Sequence, residues 1–228
     1  MFKRKYSLNE KIFDDVNNNS AYWIGLLYAD GSCTMENKIR LWIHPQDIDI
    51  LKQMKDFLRS TDRPIKEKIS KDGKRYVGIE VRSWRIHNKI KKFELTTIKP
   101  NRHRINIELL QPEIRKNFVR GIFDGDGSFY VDQRGYLFCE IAGYMPLLKD
   151  IKNILVVDGI ISEKNKIVKS GSIFRIRLSA SHTLKFGYYI YNNAQYYIRR
   201  KFNLFKSHAE RLNNIGDNKY EKLYYLKR

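Results

Sequence analysis

Val119-Arg-Gly-Ile-Phe-Asp-Gly-Asp-Gly-Ser128 is an apolar run with glycines four apart, at 121 and 125, closing in Asp126-Gly127-Ser128. An imperfect copy, Trp23-Ile-Gly-Leu-Leu-Tyr-Ala-Asp-Gly-Ser32, stands near the start of the chain, with Gly25 and Ala29 at the same spacing. Small residues four apart lie on one face of a helix and let two backbones approach closely, so Gly25, Ala29, Gly121 and Gly125 predict two helices packed face to face. Each run ends in a carboxylate, Asp30 or Asp126, in the last helical turn. That position opposes the helix dipole at a cost of about 0.3–1 kcal/mol, and packing the helices side by side would bring Asp30 and Asp126 together, so something cationic is expected between them. Gly31 and Gly127 suit the left-handed position that stops a helix. Asn19 or Ser20 is the expected cap of the first run.

A lone Asp-Gly pair is an ordinary turn element, and only its duplication with the same small-residue face makes it informative. The run from Asp124 is not an EF-hand, which needs Gly at its sixth and Glu at its twelfth position; Phe129 and Gly135 stand there. Segment by segment, Trp23 to Gly31 and Val119 to Gly127 resemble the nine-residue signature of the LAGLIDADG homing endonucleases, in the single-chain form with two motifs. Tyr28 departs from it, replacing the earlier acid that Asp124 retains.

Composition is compatible with that resemblance. The 228 residues are 42% hydrophobic, enough for a core, and 44 Lys and Arg against 25 Asp and Glu leave a formal charge of +19, which calls for a polyanionic partner. No apolar run approaches the roughly 18 residues of a membrane span, so nucleic acid is the expected partner and a membrane is not. Cys33 and Cys139 lack zinc or redox spacing and read as buried thiols. The start, Met1-Phe-Lys-Arg-Lys, lacks a secretory apolar segment, so an intracellular location is expected, with organelle, bacterial and phage-infected cytoplasm not distinguished.

Along the chain, Ile39, Leu41 and Ile43 alternate with Lys38, Arg40, Trp42 and His44, the pattern of a half-buried strand with a basic, aromatic outer face. Asp47 to Arg59 is helical, and strands at 64–69 and 75–83 flank a turn, with Val77, Ile79 and Val81 inward. A helix from Ser83 to about Phe93 follows. The second half repeats the order. A hairpin over 128–142 points Phe129, Val131, Leu137, Cys139 and Ile141 inward, a helix covers 145–156, and strands at 162–168 and 172–180 turn Phe174, Ile176 and Leu178 inward and Arg175 and Arg177 outward. A helix after Ser181 and a basic helix over 202–212 complete it. Residues 1–19 read as a polar tail. The fold class is α+β, two pseudo-symmetric α-β-β-α-β-β-α repeats, each an antiparallel sheet backed by helices: residues 1–93 with the short tail, a linker over 94–112, and 113–228 with a basic C-terminal tail.

The resemblance implies more. The two sheets would form a DNA-binding saddle in a monomer with internal pseudo-twofold symmetry. Asp30 and Asp126 would be catalytic and hold metal, with the backbone carbonyls of Ala29 and Gly125 as further ligands. Two or three Mg²⁺ ions are implied, with Mn²⁺ or Ca²⁺ able to substitute in binding. One strand of double-stranded DNA would be hydrolysed per half, leaving short 3′ overhangs. A lysine after each repeat's last helix reaches the cleavage site in the family; Lys99 and Lys201 hold those places, and Arg200 rivals Lys201. A polar residue closing each second strand positions water there, with His44 or Gln46 and Glu140 as candidates. The outward residues Lys38, Arg40, Trp42, His44, Arg82, Arg134, Arg175 and Arg177 would contact DNA, the arginines pairing best with guanine O6 and N7. The scaffold also admits an RNA maturase that binds intron RNA and a non-cleaving DNA-binding regulator.

Overall fold

The computed structural model describes residues 4–93 and 107–214. The chain divides into two compact units, Met1–Gly125 and Asp126–Arg228.

In the first unit, helix α1 (Asn18–Asp30) starts earlier than either cap expected from sequence. Asn17 takes extended geometry, its side chain accepts from the Asn19 and Ser20 amides, and Ser20 Oγ in turn accepts from the Asn17 amide at 2.8 Å. That reciprocal box satisfies three donors, which a cap at Asn19 or Ser20 would forgo. Strands β1 (Gly31–Cys33), β2 (Lys38–Ile43), β3 (Lys66–Ile69) and β4 (Arg75–Arg82) form an antiparallel sheet in the order β1-β2-β4-β3. Ile39, Leu41 and Ile43 are buried with Val77, Ile79 and Val81, as the alternation requires. Helix α2 (Ile48–Phe57) follows a short 3-10 turn at Pro45–Asp47 and buries Ile50, Leu51, Met54 and Phe57. Helix α3 (Trp84–Lys91) is capped by Ser83, whose hydroxyl accepts from the Ile86 amide at 3.2 Å.

The leader is not a tail. Phe13 is 2% exposed and meets Phe57 edge-on at 5.4 Å, while Asn9 N–H donates to the Leu58 carbonyl and Ser7 to the Asp62 carboxylate. Buried Phe13, half-buried Leu8 and Ile12, and these hydrogen bonds anchor the segment.

Helix α4 (Pro112–Asp126) belongs by sequence to the second repeat, but through Gly125 it packs in the first unit. A Cβ on Gly25 would fall on the Phe118 carbonyl oxygen, and one on Gly121 would fall on the Tyr22 carbonyl oxygen and lie 2.6 Å from Leu26 N. The small-residue faces of α1 and α4 are therefore in backbone contact. Repeats follow sequence likeness and compact units follow packing, which is why the unit ends inside the second motif while the likeness divides at 94–112. Of that connector, residues 94–106 lie outside the described residues; Ile107–Leu109 makes a 3-10 turn.

The second unit repeats the topology. Strands β5 (Gly127–Val131), β6 (Leu137–Gly143), β7 (Ile167–Ser170) and β8 (Ile173–Leu178) pair antiparallel in the order β5-β6-β8-β7. Helix α5 (Met145–Val157) and helix α6 (Ala180–Tyr191) pack on β6 and β8, and helix α7 (Arg199–Asn214) on β5. Phe129, Leu137, Cys139, Ile141, Ile176 and Leu178 are buried, but Val131, expected inward, is 46% exposed because β5 ends there and the chain turns over Asp132–Tyr136. Cys33 and Cys139 are buried free thiols, and burial pushes the Cys139 thiol up.

Gly31 is extended at φ −83°, and neither it nor Gly127 has positive φ. The left-handed stop expected for both is absent because each helix runs directly into a strand. Gly31 is needed for space instead: a Cβ there would lie 2.5 Å from the Leu27 carbonyl oxygen.

Candidate nucleic-acid interface and metal centre

Each motif helix hands its last carboxylate to the first residue of a sheet. Asp30 ends α1 and Gly31 opens β1; Asp126 ends α4 and Gly127 opens β5. Both aspartates are partly exposed. In the first unit the end of α4 lies against Asp30: a Cβ on Gly125 would meet the Ala29 methyl and lie 3.2 Å from Asp30 Oδ2. Glycine at 125 thus leaves room for that carboxylate. The earlier acid Asp124 has a different place, 1% exposed in the α1/α4 interface, where it accepts from Tyr22 Oη at 2.8 Å. Arg120 lies over the Tyr22 ring at 4.9 Å and donates to Asn117 at 2.7 Å, and Asn117 donates to Asn18. Asp124 is a packing group, and Tyr28 at the corresponding place on α1 is buried too.

In the second unit Lys201 is 5% exposed, and its Nζ donates to the Gly127 carbonyl at 2.6 Å, one residue from Asp126. Its rival Arg200 is exposed. Aromatic packing seats α7, the helix that carries Lys201, against α6 and β5. A Cβ on Gly187 of α6 would meet the Phe205 ring of α7, Phe205 stacks on Phe129 at 5.9 Å, and Tyr191 meets Phe202 edge-on at 5.2 Å. Lys99 lies outside the described residues.

Among the described residues, no three His, Cys, Asp or Glu side chains gather into a group that could hold a metal. The donors at each motif end are one carboxylate and backbone carbonyls. Such a set suits a hard cation that keeps waters and takes phosphate oxygens, and does not suit a closed zinc site.

The outward face of the first sheet carries Lys38, Arg40, Trp42, Lys66, Lys68, Glu80 and Arg82. Trp42 lies opposite Gly78, where a Cβ would come 2.6 Å from the indole, and Lys68 Nζ sits 4.2 Å over its ring. The glycine seats the tryptophan flat on the sheet. Glu80 Oε2 accepts from Arg40 Nε at 2.7 Å and Oε1 from Lys66 Nζ at 2.7 Å, and these partners hold its carboxyl below the usual carboxylate range against the opposing effect of burial. His44 is exposed just past β2, its Nδ1 accepting from the Gln46 amide. Beyond β3, the uncovered edge of β4 is closed by Arg63, which donates to the Glu80 carbonyl, and by Arg4, which donates to the Arg82 carbonyl.

The second sheet presents Tyr130 stacked on Phe138 at 5.7 Å, then Glu140, Arg175 and Arg177. Arg175 pairs with Glu140 through Nη1 and donates from Nε to Ser170 Oγ, while Arg177 reaches Glu140 Oε2 through Nε at 3.1 Å. Arg134 is not on a strand; it sits in the turn, paired with Asp132 and lying over the Tyr136 ring. Glu140 does not close its strand. The pairings Ser32↔Arg40 and Ser128↔Glu140 make it the counterpart of Arg40, three residues short of the end of β6 at Gly143, whereas His44 and Gln46 do lie past the end of β2. The ion pairs of the outward arginines were missed in the sequence, although outward Glu80 and Glu140 among outward cations were their signal.

No protein-family model and no curated protein matches the sequence. Solved structures do. The chain is similar to the LAGLIDADG meganuclease I-AabMI bound to uncleaved DNA, at 13% identity and a TM-score of 0.56 over 93% of this chain and 100% of that one. It is similar to the I-LtrWI LAGLIDADG homing endonuclease bound to target DNA, at 13% identity and a TM-score of 0.54 over 93% of each chain. The N-terminal LAGLIDADG domain of DUF199/WhiA matches at 15% identity and a TM-score of 0.51, over 82% of this chain and 90% of that one. The chain has the LAGLIDADG meganuclease fold. Among its described residues no helix is long and apolar enough to cross a membrane.

Proposed function

We propose that the chain is a sequence-specific, metal-dependent double-strand DNA endonuclease that cuts one strand per half and leaves short 3′ overhangs. The observation that carries this reading is that both motif helices end in a partly exposed carboxylate directly joined to a sheet whose outward face bears cations. Fold likeness alone does not select an activity, because one fold hosts many. Double-stranded DNA is the partner that the charge of +19 and the outward Lys38, Arg40, Arg82 and Arg177 favour.

Asp30 and Asp126 would each hold a divalent ion, Mg²⁺ by the donor chemistry, with the Ala29 and Gly125 carbonyls as further ligands. When bound, such ions polarise the scissile phosphate and supply a hydroxide-like water. Lys201, and Lys99 in the first half, would hold developing negative charge on the phosphate. Outward arginines would read guanine edges, while other Lys and Arg contacts to phosphate would dominate affinity and make it steeply salt-dependent.

The test is incubation with a plasmid carrying the DNA that flanks the gene's own insertion point, with Mg²⁺ and with EDTA. Linear product only with Mg²⁺ supports the reading. Duplex binding without cleavage under any divalent ion would favour a regulator, and tighter binding of intron RNA than of duplex would favour a maturase.

Lys201 serves a further prediction. Lys201→Met is expected to lower the single-turnover rate about 10²-fold or more at saturating protein, since charge stabilisation acts mainly in the transition state. Binding should change far less. If Lys201 only braces β5 through Gly127, the variant will instead melt earlier and cut at the parent rate once bound, and the same assay of Lys99→Met tests the other half.

A further inference from the structure

We infer that one cross-strand row in each sheet, Arg40 with Glu80 and Glu140 with Arg177, decides which strand of a G·C pair carries the guanine in each half-site, and that the two rows prefer opposite orientations. This rests on the DNA-binding reading above. Register makes the rows equivalent: Ser32, Arg40 and Glu80 lie abreast on β1, β2 and β4, and Ser128, Glu140 and Arg177 lie abreast on β5, β6 and β8. Both begin two residues after a motif aspartate. The acid and the arginine have exchanged strands. The neighbouring outward positions show no such relation, with Phe138 where the first sheet has Lys38 and Ala142 where it has Trp42.

The bonding is also alike. Arg40 and Arg177 each meet the acid through Nε, at 2.7 and 3.1 Å, and among the described residues their terminal nitrogens make no hydrogen bond. A guanidinium held by Nε offers two parallel donors, the complement of guanine O6 and N7, while the adjacent carboxylate can accept from cytosine N4. Side by side they match the two bases of one G·C pair, and reversing them matches C·G. Arg175 differs, since Glu140 and Ser170 engage both its Nη1 and its Nε. Glu80 and Glu140 therefore act both as positioning residues for an arginine and as readers.

The experiment is selection from a randomised duplex library in Ca²⁺, with the parent and with the double variant Arg40→Glu, Glu80→Arg, which keeps the pair but reverses it. Expected is inversion of one G·C preference in one half-site, by about tenfold or more, with the other half-site unchanged. A folded double variant that selects the parent sequence at every position overturns the inference. So that the result does not depend on the swap folding, Arg177→Ala and Arg175→Ala are selected in parallel. The first should flatten a G·C position in the other half-site and the second should not; the reverse outcome also overturns it. If the parent enriches no duplex sequence at all, the DNA-binding reading itself fails, which the selection of the parent alone reveals.

Discussion

Asp126→Asn and Asp30→Asn are each expected to remove double-strand cleavage, lowering the single-turnover rate at the affected strand about 10²–10³-fold or more, with nicked plasmid from the other half as residual product. Asparagine keeps the shape and removes the charge that a hard cation needs. Each carboxylate ends a helix, where it opposes the dipole by about 0.3–1 kcal/mol, and neutralising it removes that cost. Affinity for DNA should hold or improve, because a negative charge is taken away from a polyanion. The three measurements are a plasmid assay in Mg²⁺, a thermal melt and a binding titration in Ca²⁺. An earlier melt with cleavage intact would make the aspartates structural and end the nuclease assignment.

The second large effect concerns the helix pair. Gly121→Ala places its new methyl on the Tyr22 carbonyl oxygen and 2.6 Å from Leu26 N, and Gly25→Ala places its own on the Phe118 carbonyl oxygen. Backbone cannot turn aside as a side chain can, so α1 and α4 must separate along their length. Alanine would gain about 0.8–1 kcal/mol of helix propensity over glycine, whereas overpacking typically costs about 1–3 kcal/mol and here falls at or above the upper end. The net loss should lower the melting temperature by roughly 2–4 °C per kcal/mol, with leucine far worse than alanine. Gly143→Ala is the control, because its Cβ would find side-chain atoms no closer than 3.4 Å. If Gly121→Ala melts at or above the parent, propensity outweighs packing and the helices do not need that contact.

Much of this molecule is legible in local periodicity. Alternation at Ile39, Leu41 and Ile43 places them inward because successive strand residues face opposite ways. Glycines four apart mark where two helices touch because 3.6 residues per turn stacks them on one face. The duplicated Asp-Gly-Ser and the charge of +19 are sequence facts that need no coordinates. Tertiary structure decided what depends on neighbours distant in the chain. Phe13 became core because Phe57 was there to meet it, and Asp124 became a packing group because Tyr22 donates to it across the helix pair. Gly31 serves close approach rather than a left-handed turn because β1 begins at once. Glu140 proved to lie mid-strand opposite Ser128, and Arg175 and Arg177 proved different in what they leave unbonded, because strand register joins residues that no local pattern relates. Periodicity determines which way a side chain faces, and only the pairing of strands and helices determines what it faces.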